Sequence, residues 1–196
     1  MNMYKFGPKF EQTGHLFEWQ FIGEVDTTSR EYQKELKKLQ EGAAEEGVIN
    51  GFIPREKAIE LAKKFQPFDP THPNKPFARD IRISLLDLMI GKNMITDSEE
   101  DQDRVKFYTA VGTPLDKFHG SDAFIEFKDS DDKKYLITFD LTVRKNISKA
   151  KSDVVIFELP DPNIEEEKIK YLASIEKYAN KALGCIEIRE ANEENR

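Results

Sequence analysis

The chain has 196 residues, 38% of them hydrophobic and 34% charged, with a formal net charge of −7 and a pI near 5.2. That acidity argues against a protein that coats polyanions over its whole surface, although a local basic patch is still allowed. The single cysteine, Cys185, rules out an internal disulfide. No apolar run nears the ~20 residues of a membrane span, and no basic-then-apolar leader opens the chain, so a cytoplasmic, non-membrane protein is expected.

Residues 15–21 alternate well enough for a strand, with Phe17, Trp19, Phe21, Ile22 and Val25 as core candidates. Thr27, Thr28 and Ser29 then offer N-caps to a charged helix reaching about Glu41, stopped by Gly42 or Gly47. Its apolar stripe (Tyr32, Leu36, Leu39) is thin, which suits a surface helix or one that meets a partner. Pro54 fits the first turn of the next helix, whose face is Ala58, Ile59, Leu61, Ala62 and Phe65. Pro67, Pro70, Pro73 and Pro76 forbid regular structure after it. They mark a packed connector and a boundary, with residues 1–76 as a mostly helical extension on a core of 77–196. His72 reads as a loop histidine.

From Phe77 to Ile90 the chain is apolar nearly all round, as in a buried helix, with Asp80 and Asp87 close to one face and Gly91 as its end. Ser98 and Asp101 form a cap for a helix expected to run to about Val111. Gly112–Asp116 then turns the chain into a hairpin. In its first strand Asp122, Phe124 and Glu126 alternate with Ala123, Ile125 and Phe127. In its second, Thr138, Asp140, Thr142 and Arg144 alternate with Ile137, Phe139, Leu141 and Val143. Period two is what a half-buried strand requires. A hairpin centred on Asp131, within the polar Lys128–Lys134 segment, sets Asp122 opposite Asp140 and puts both apolar sets on one face. Like charges so placed repel by up to roughly 1 kcal/mol. Either a divalent cation removes that repulsion, or the pair lies on a solvated face where water screens it.

Arg144–Lys151 follows with four cations and no acid, a reading split between a phosphate contact and a solvated loop. Residues 153–159 form a strand apolar enough to be covered on both faces. Asn163 caps a helix through Leu183, with Leu172, Ile175, Ala179 and Ala182 inward; Gly184 stops it, and 185–188 reads as a last strand. The fold class is therefore α/β, a central mixed sheet flanked by helices.

In this order of elements, with Gly120-Ser121-Asp122 opening one strand and Asp140-Leu141-Thr142 on the next, residues 99–190 resemble the PD-(D/E)xK nuclease superfamily. The layout is similar to that of the compact archaeal Holliday-junction resolvases. The resemblance implies a restriction-endonuclease-like core and a metal-dependent phosphodiesterase acting on DNA. Asp122, Asp140 and the Leu141 carbonyl would hold Mg²⁺ or Mn²⁺. The superfamily's lysine is Thr142 here, and a hydroxyl supplies no positive charge to a phosphoryl transition state. Lys145 or Lys149 could reach in from the adjacent loop as the catalytic cation. Arg144, Lys145, Lys149 and Lys151 would contact the phosphate backbone. A third acid could come from Asp80, Asp87, Glu99 or Glu100. The alternative is a catalytically inert binding or assembly module, with a protein partner or a second copy of itself. Other chemistries lack a motif: His119 beside Gly120 and Cys185 both read as structural, and no Walker A loop, GxGxxG or CxxC is present.

Overall fold

The computed structural model describes residues 14–45, 47, 51–142, 151–157 and 159–194, the side chains of 14–17 and 193–194 excepted. Seven helices and four strands are described: α1 (Gly14–Ile22), α2 (Arg30–Glu45), α3 (Arg55–Lys64), α4 (Pro76–Gly91), α5 (Glu99–Gln102), β1 (Val105–Thr109), α6 (Pro114–His119), β2 (Ala123–Lys128), β3 (Lys134–Thr142), β4 (Val154–Phe157) and α7 (Glu165–Glu194). The sheet runs in the order β1-β2-β3-β4, with two antiparallel pairings and a parallel β3–β4 pair. This is the α/β fold with a central mixed sheet that the pattern predicts.

One face of the sheet packs Phe107, Ile125, Phe127, Phe139 and Ile156 against α4 and α7 through Phe77, Ile81, Leu85, Ile175, Ala179 and Ile186. The other face is not solvated, contrary to the half-buried expectation. There Tyr108 stacks on its cross-strand partner Phe124 at 4.9 Å, and Ala58, Ala62 and Leu115 of α3 and α6 cover both. Glu126, which alternation sets on this face, is buried and paired with Lys63 of α3 at 2.8 Å. Coverage thins toward β4, where Val155 is half-buried and Phe157 is 39% exposed, so β4 is not enclosed on both faces as expected.

The hairpin has the predicted register, from Lys128 opposite Lys134 to Ala123 opposite Phe139. Other element readings are corrected. Residues 15–21 lie in α1 and not in a strand, and the helix brings Phe21 and Ile22 at its end into the core. The Ser98 cap is real, its Oγ accepting the Asp101 N–H, but the helix stops at Gln102. Arg82 ends it by donating to the Gln102 and Val105 carbonyls at 2.8 Å each, and the chain continues as β1. After Thr113, α6 replaces the expected simple turn. Gly184 neither stops α7 nor starts a strand: the stripe Ala179, Ala182, Leu183, Ile186 continues through it, and that burial outweighs the ~1 kcal/mol cost of a helical glycine.

The sheet edges are capped by side chains and a loop carbonyl. Gln66 exchanges two hydrogen bonds with the Thr109 backbone, and Phe107 N–H donates to the Pro70 carbonyl. Beyond the start of β4, Asp153 accepts the Thr138 N–H and Arg189 donates to the Leu136 carbonyl. At β4 itself the Tyr178 hydroxyl meets the Phe157 N–H. These contacts blunt edge-to-edge pairing.

Candidate functional site

Asp122 sits one step before β2, where its backbone still joins both neighbours. Its carbonyl accepts the Ala110 N–H at 2.7 Å and its N–H donates to the Phe139 carbonyl at 2.8 Å. The approach to it is fixed locally. Thr113 caps α6, and Gly120 ends it in the left-handed region at φ 62°, a conformation that favours glycine. The buried Ser121 hydroxyl bonds Ser152, whose Oγ also donates to the Gly120 carbonyl at 2.8 Å. The Gly120-Ser121-Asp122 segment is thus held from two sides.

The Asp122 side chain is 5% exposed, and its Oδ2 accepts the Leu141 N–H at 2.6 Å, standing in for a ladder carbonyl. Burial pushes its carboxyl up to about 8, helped by the negative charges of Glu18, Asp116 and Asp140 and opposed by the Leu141 bond. Asp140, half-buried on β3, is also raised, first by burial and then by Asp116, while a hydrogen bond with Asp122 holds it down. The two aspartates therefore form one coupled unit: near neutral pH Asp122 keeps a proton that Asp140 shares.

Two contributors were not singled out from sequence. Asp116, in the first turn of α6, has its Oδ2 tied to the Gly112 N–H at 2.9 Å and acts on both aspartates. Glu18 arrives on α1, which packs against α4 and β3. Neither stands in a motif, and the first lay in an expected turn and the second in an expected strand.

The other candidates for a third acid are engaged elsewhere. Asp80 pairs with Arg79 at 2.7 Å and accepts the Tyr171 hydroxyl at 3.0 Å. Asp87 lines a different cavity, of about 530 Å³, with Arg82, Ile83 and Ile90. Glu99 and Glu100 are exposed in the first turn of α5. Thr142 is half-buried, two residues beyond Asp140 on the same face of β3. Arg144, Lys145 and Lys149 lie outside the described residues. Lys151 is exposed, its stem 3.4 Å from where a Cβ on Gly120 would stand, and its Nζ donates to the Phe118 carbonyl. His119 is anchored in the fold, its Nε2–H donating to the Ile53 carbonyl at 2.9 Å. Cys185 is half-buried against the α4/α7 core, which agrees with a packing role.

Among the described residues, no group of three or more His, Cys, Asp or Glu side chains is arranged to hold a metal, and the Asp122–Asp140 pair offers two carboxylates. Two carboxylates completed by waters and a carbonyl suit a small hard cation, and replacing the shared proton with a divalent ion would relieve the repulsion that adds to burial in raising Asp122. No helix among the described residues is long and apolar enough to cross a membrane. No family model, no curated protein and no solved structure matches this chain.

Proposed function

We propose that this chain is a metal-dependent phosphodiesterase acting on DNA, with Asp122 and Asp140 holding Mg²⁺ or Mn²⁺. The observation that carries the reading is the carboxyl pair itself, one member almost fully buried and kept protonated to about pH 8 first by that burial and then by its acidic neighbours. Support also comes from its placement. An aspartate opens the middle strand of a three-stranded meander and a second acid lies on the next strand, as in the superfamily that the sequence resembles. When bound, the cation supplies an activated water and neutralises charge on the phosphate. The chain's own part is to hold the pair: Leu141 N–H orients Asp122, and Ser152 fixes the turn before it. Lys145, Lys149 and Lys151 supply the phosphate contacts in this reading.

The test is calorimetric titration of Mn²⁺ and Mg²⁺ at about pH 8.5, where Asp122 has lost its proton, followed by plasmid cleavage. Wild-type binding that disappears in Asp122→Asn/Asp140→Asn, together with Mg²⁺-dependent nicking lost in the same variant, is expected. No binding heat in the wild type at that pH, with or without DNA, refutes the reading. Thr142 favours a second reading, an inert binding or assembly module, because the strand position that normally carries the ammonium is neutral. Metal binding without cleavage of any DNA would establish it.

A further inference from the structure

At the end of α6, three residues before Asp122 in the chain, the fold presents a group of aromatic rings. Phe52 is 38% exposed. Its ring centroid lies 5.6 Å from that of Phe118 and 5.3 Å from the His119 imidazole, at tilts of 56° and 57°. His119 is pinned through its bond to the carbonyl of Ile53, which is fully buried. The rings are thus held before any ligand arrives, so stacking on them costs little conformational entropy. Lys151 lies over the same turn, its Nζ on the Phe118 carbonyl and its stem against Gly120, two residues before Asp122.

We infer that Phe52, Phe118 and His119 form a stacking platform for unpaired bases of a single DNA strand, with Lys151 against the adjoining phosphate. An exposed aromatic with a lysine beside it is the combination that binds single strands without reading sequence. In a duplex the base faces are already stacked and unavailable. A net charge of −7 also gives little general attraction for a duplex backbone, so discrimination falls to the rings. The inference rests on the reading that the chain acts on DNA and adds a substrate class to it: DNA with a single-stranded segment next to the cleaved phosphate.

The experiment is fluorescence anisotropy in EDTA with a labelled oligothymidylate of about 20 nucleotides and with a duplex of the same length, on the full chain. Wild type should bind the single strand more tightly than the duplex. Phe52→Ala should weaken single-strand binding roughly tenfold and leave duplex binding unchanged, and Phe52→Trp should restore it. Lys151→Ala should reduce the salt dependence of single-strand binding by about 0.7 in log–log slope. Phe52→Ala with wild-type single-strand affinity, or a wild type that binds duplex as tightly, overturns the inference, given a melting curve showing the variant folded. Because no metal is present, binding is read apart from cleavage. Phe52-dependent binding without nicking under Mg²⁺ overturns the enzyme reading alone, and nicking with Phe52-independent binding overturns the platform alone.

Discussion

Replacing Asp122 with Asn should stabilise the fold, and by more as the pH rises toward 8. The buried carboxyl is pushed from 3.8 up to about 8, so between those values the native chain holds a proton that the unfolded chain has lost. Native stability therefore falls as pH rises through that window, by at most about 1.36 kcal/mol per pH unit. Over about four pH units the loss approaches on the order of 5 kcal/mol, complete near pH 8 and absent below about pH 4. The amide avoids it without losing the local bonds, because its oxygen still accepts the Leu141 N–H and its NH₂ still donates to Asp140. Urea denaturation of both proteins in EDTA, at intervals from about pH 4.5 to about pH 9, measures this, and the difference between the curves isolates the group. The apparent midpoint belongs to the Asp122–Asp140 unit, since Asp140 is raised as well. The expected result is a gap of only about 1 kcal/mol at about pH 4.5 that grows to several kcal/mol by about pH 8, then levels. Two curves that stay parallel across the range would refute the buried, protonated carboxyl. Repeating the series with Mn²⁺ should close the gap, because a cation replaces the proton.

Three further outcomes can be checked by equilibrium unfolding or by cleavage. Gly184→Ala should raise stability by about 0.5–1 kcal/mol, since an added Cβ meets nothing within 4 Å in the interior of α7; a loss would mean that the helix breaks there after all. Arg189→Ala should cost about 1–2 kcal/mol in urea, because it removes the donor to the Leu136 carbonyl and the 2.6 Å partner of a partly exposed Asp153; an unchanged midpoint would show that water serves the edge equally well. Thr142→Lys should raise Mg²⁺-dependent plasmid nicking at least about tenfold by restoring an ammonium two residues after Asp140, and no change in a folded variant would count against the superfamily reading.

The hairpin was legible because everything that specifies it is local. The alternation of both strands and the polar segment between them agree on a register centred at Asp131, and the pairs from Lys128–Lys134 to Ala123–Phe139 follow it. The solvated-face alternative failed for a non-local reason: Ala58, Ala62 and Lys63 come from α3, far upstream in the chain, to cover Phe124 and Glu126. Misread elements share that origin. Gly184 resembles a stop until the inward stripe is followed to Ile186, and β1 resembles the rest of a capped helix until Arg82 takes the Gln102 carbonyl. Glu18 and Asp116 belong to the site only through the packing of α1 and α6, so no spacing could mark them. The Asp122–Asp140 pair was readable, whereas the charges that decide its protonation were not.

Those charges bear on why an aspartate stands at position 122 at all. As a ladder cap for Leu141, an asparagine would serve as well and would spare the fold a penalty that grows with pH. The surroundings work against ionisation further: Glu18, Asp116 and Asp140 all raise the cost, and among the described residues no cation stands with the main influences on Asp122. A carboxylate that is costly alone and cheap beside a divalent ion is what a metal site requires, since the same negative field that disfavours the bare carboxylate favours the cation. The proposed Mg²⁺ accounts for the aspartate and for its acidic neighbours together. A structural cap accounts only for the oxygen that meets Leu141. The stability gap between the wild type and Asp122→Asn, measured with and without Mn²⁺, separates the two: a cap leaves the gap unchanged by metal, and a cation site closes it.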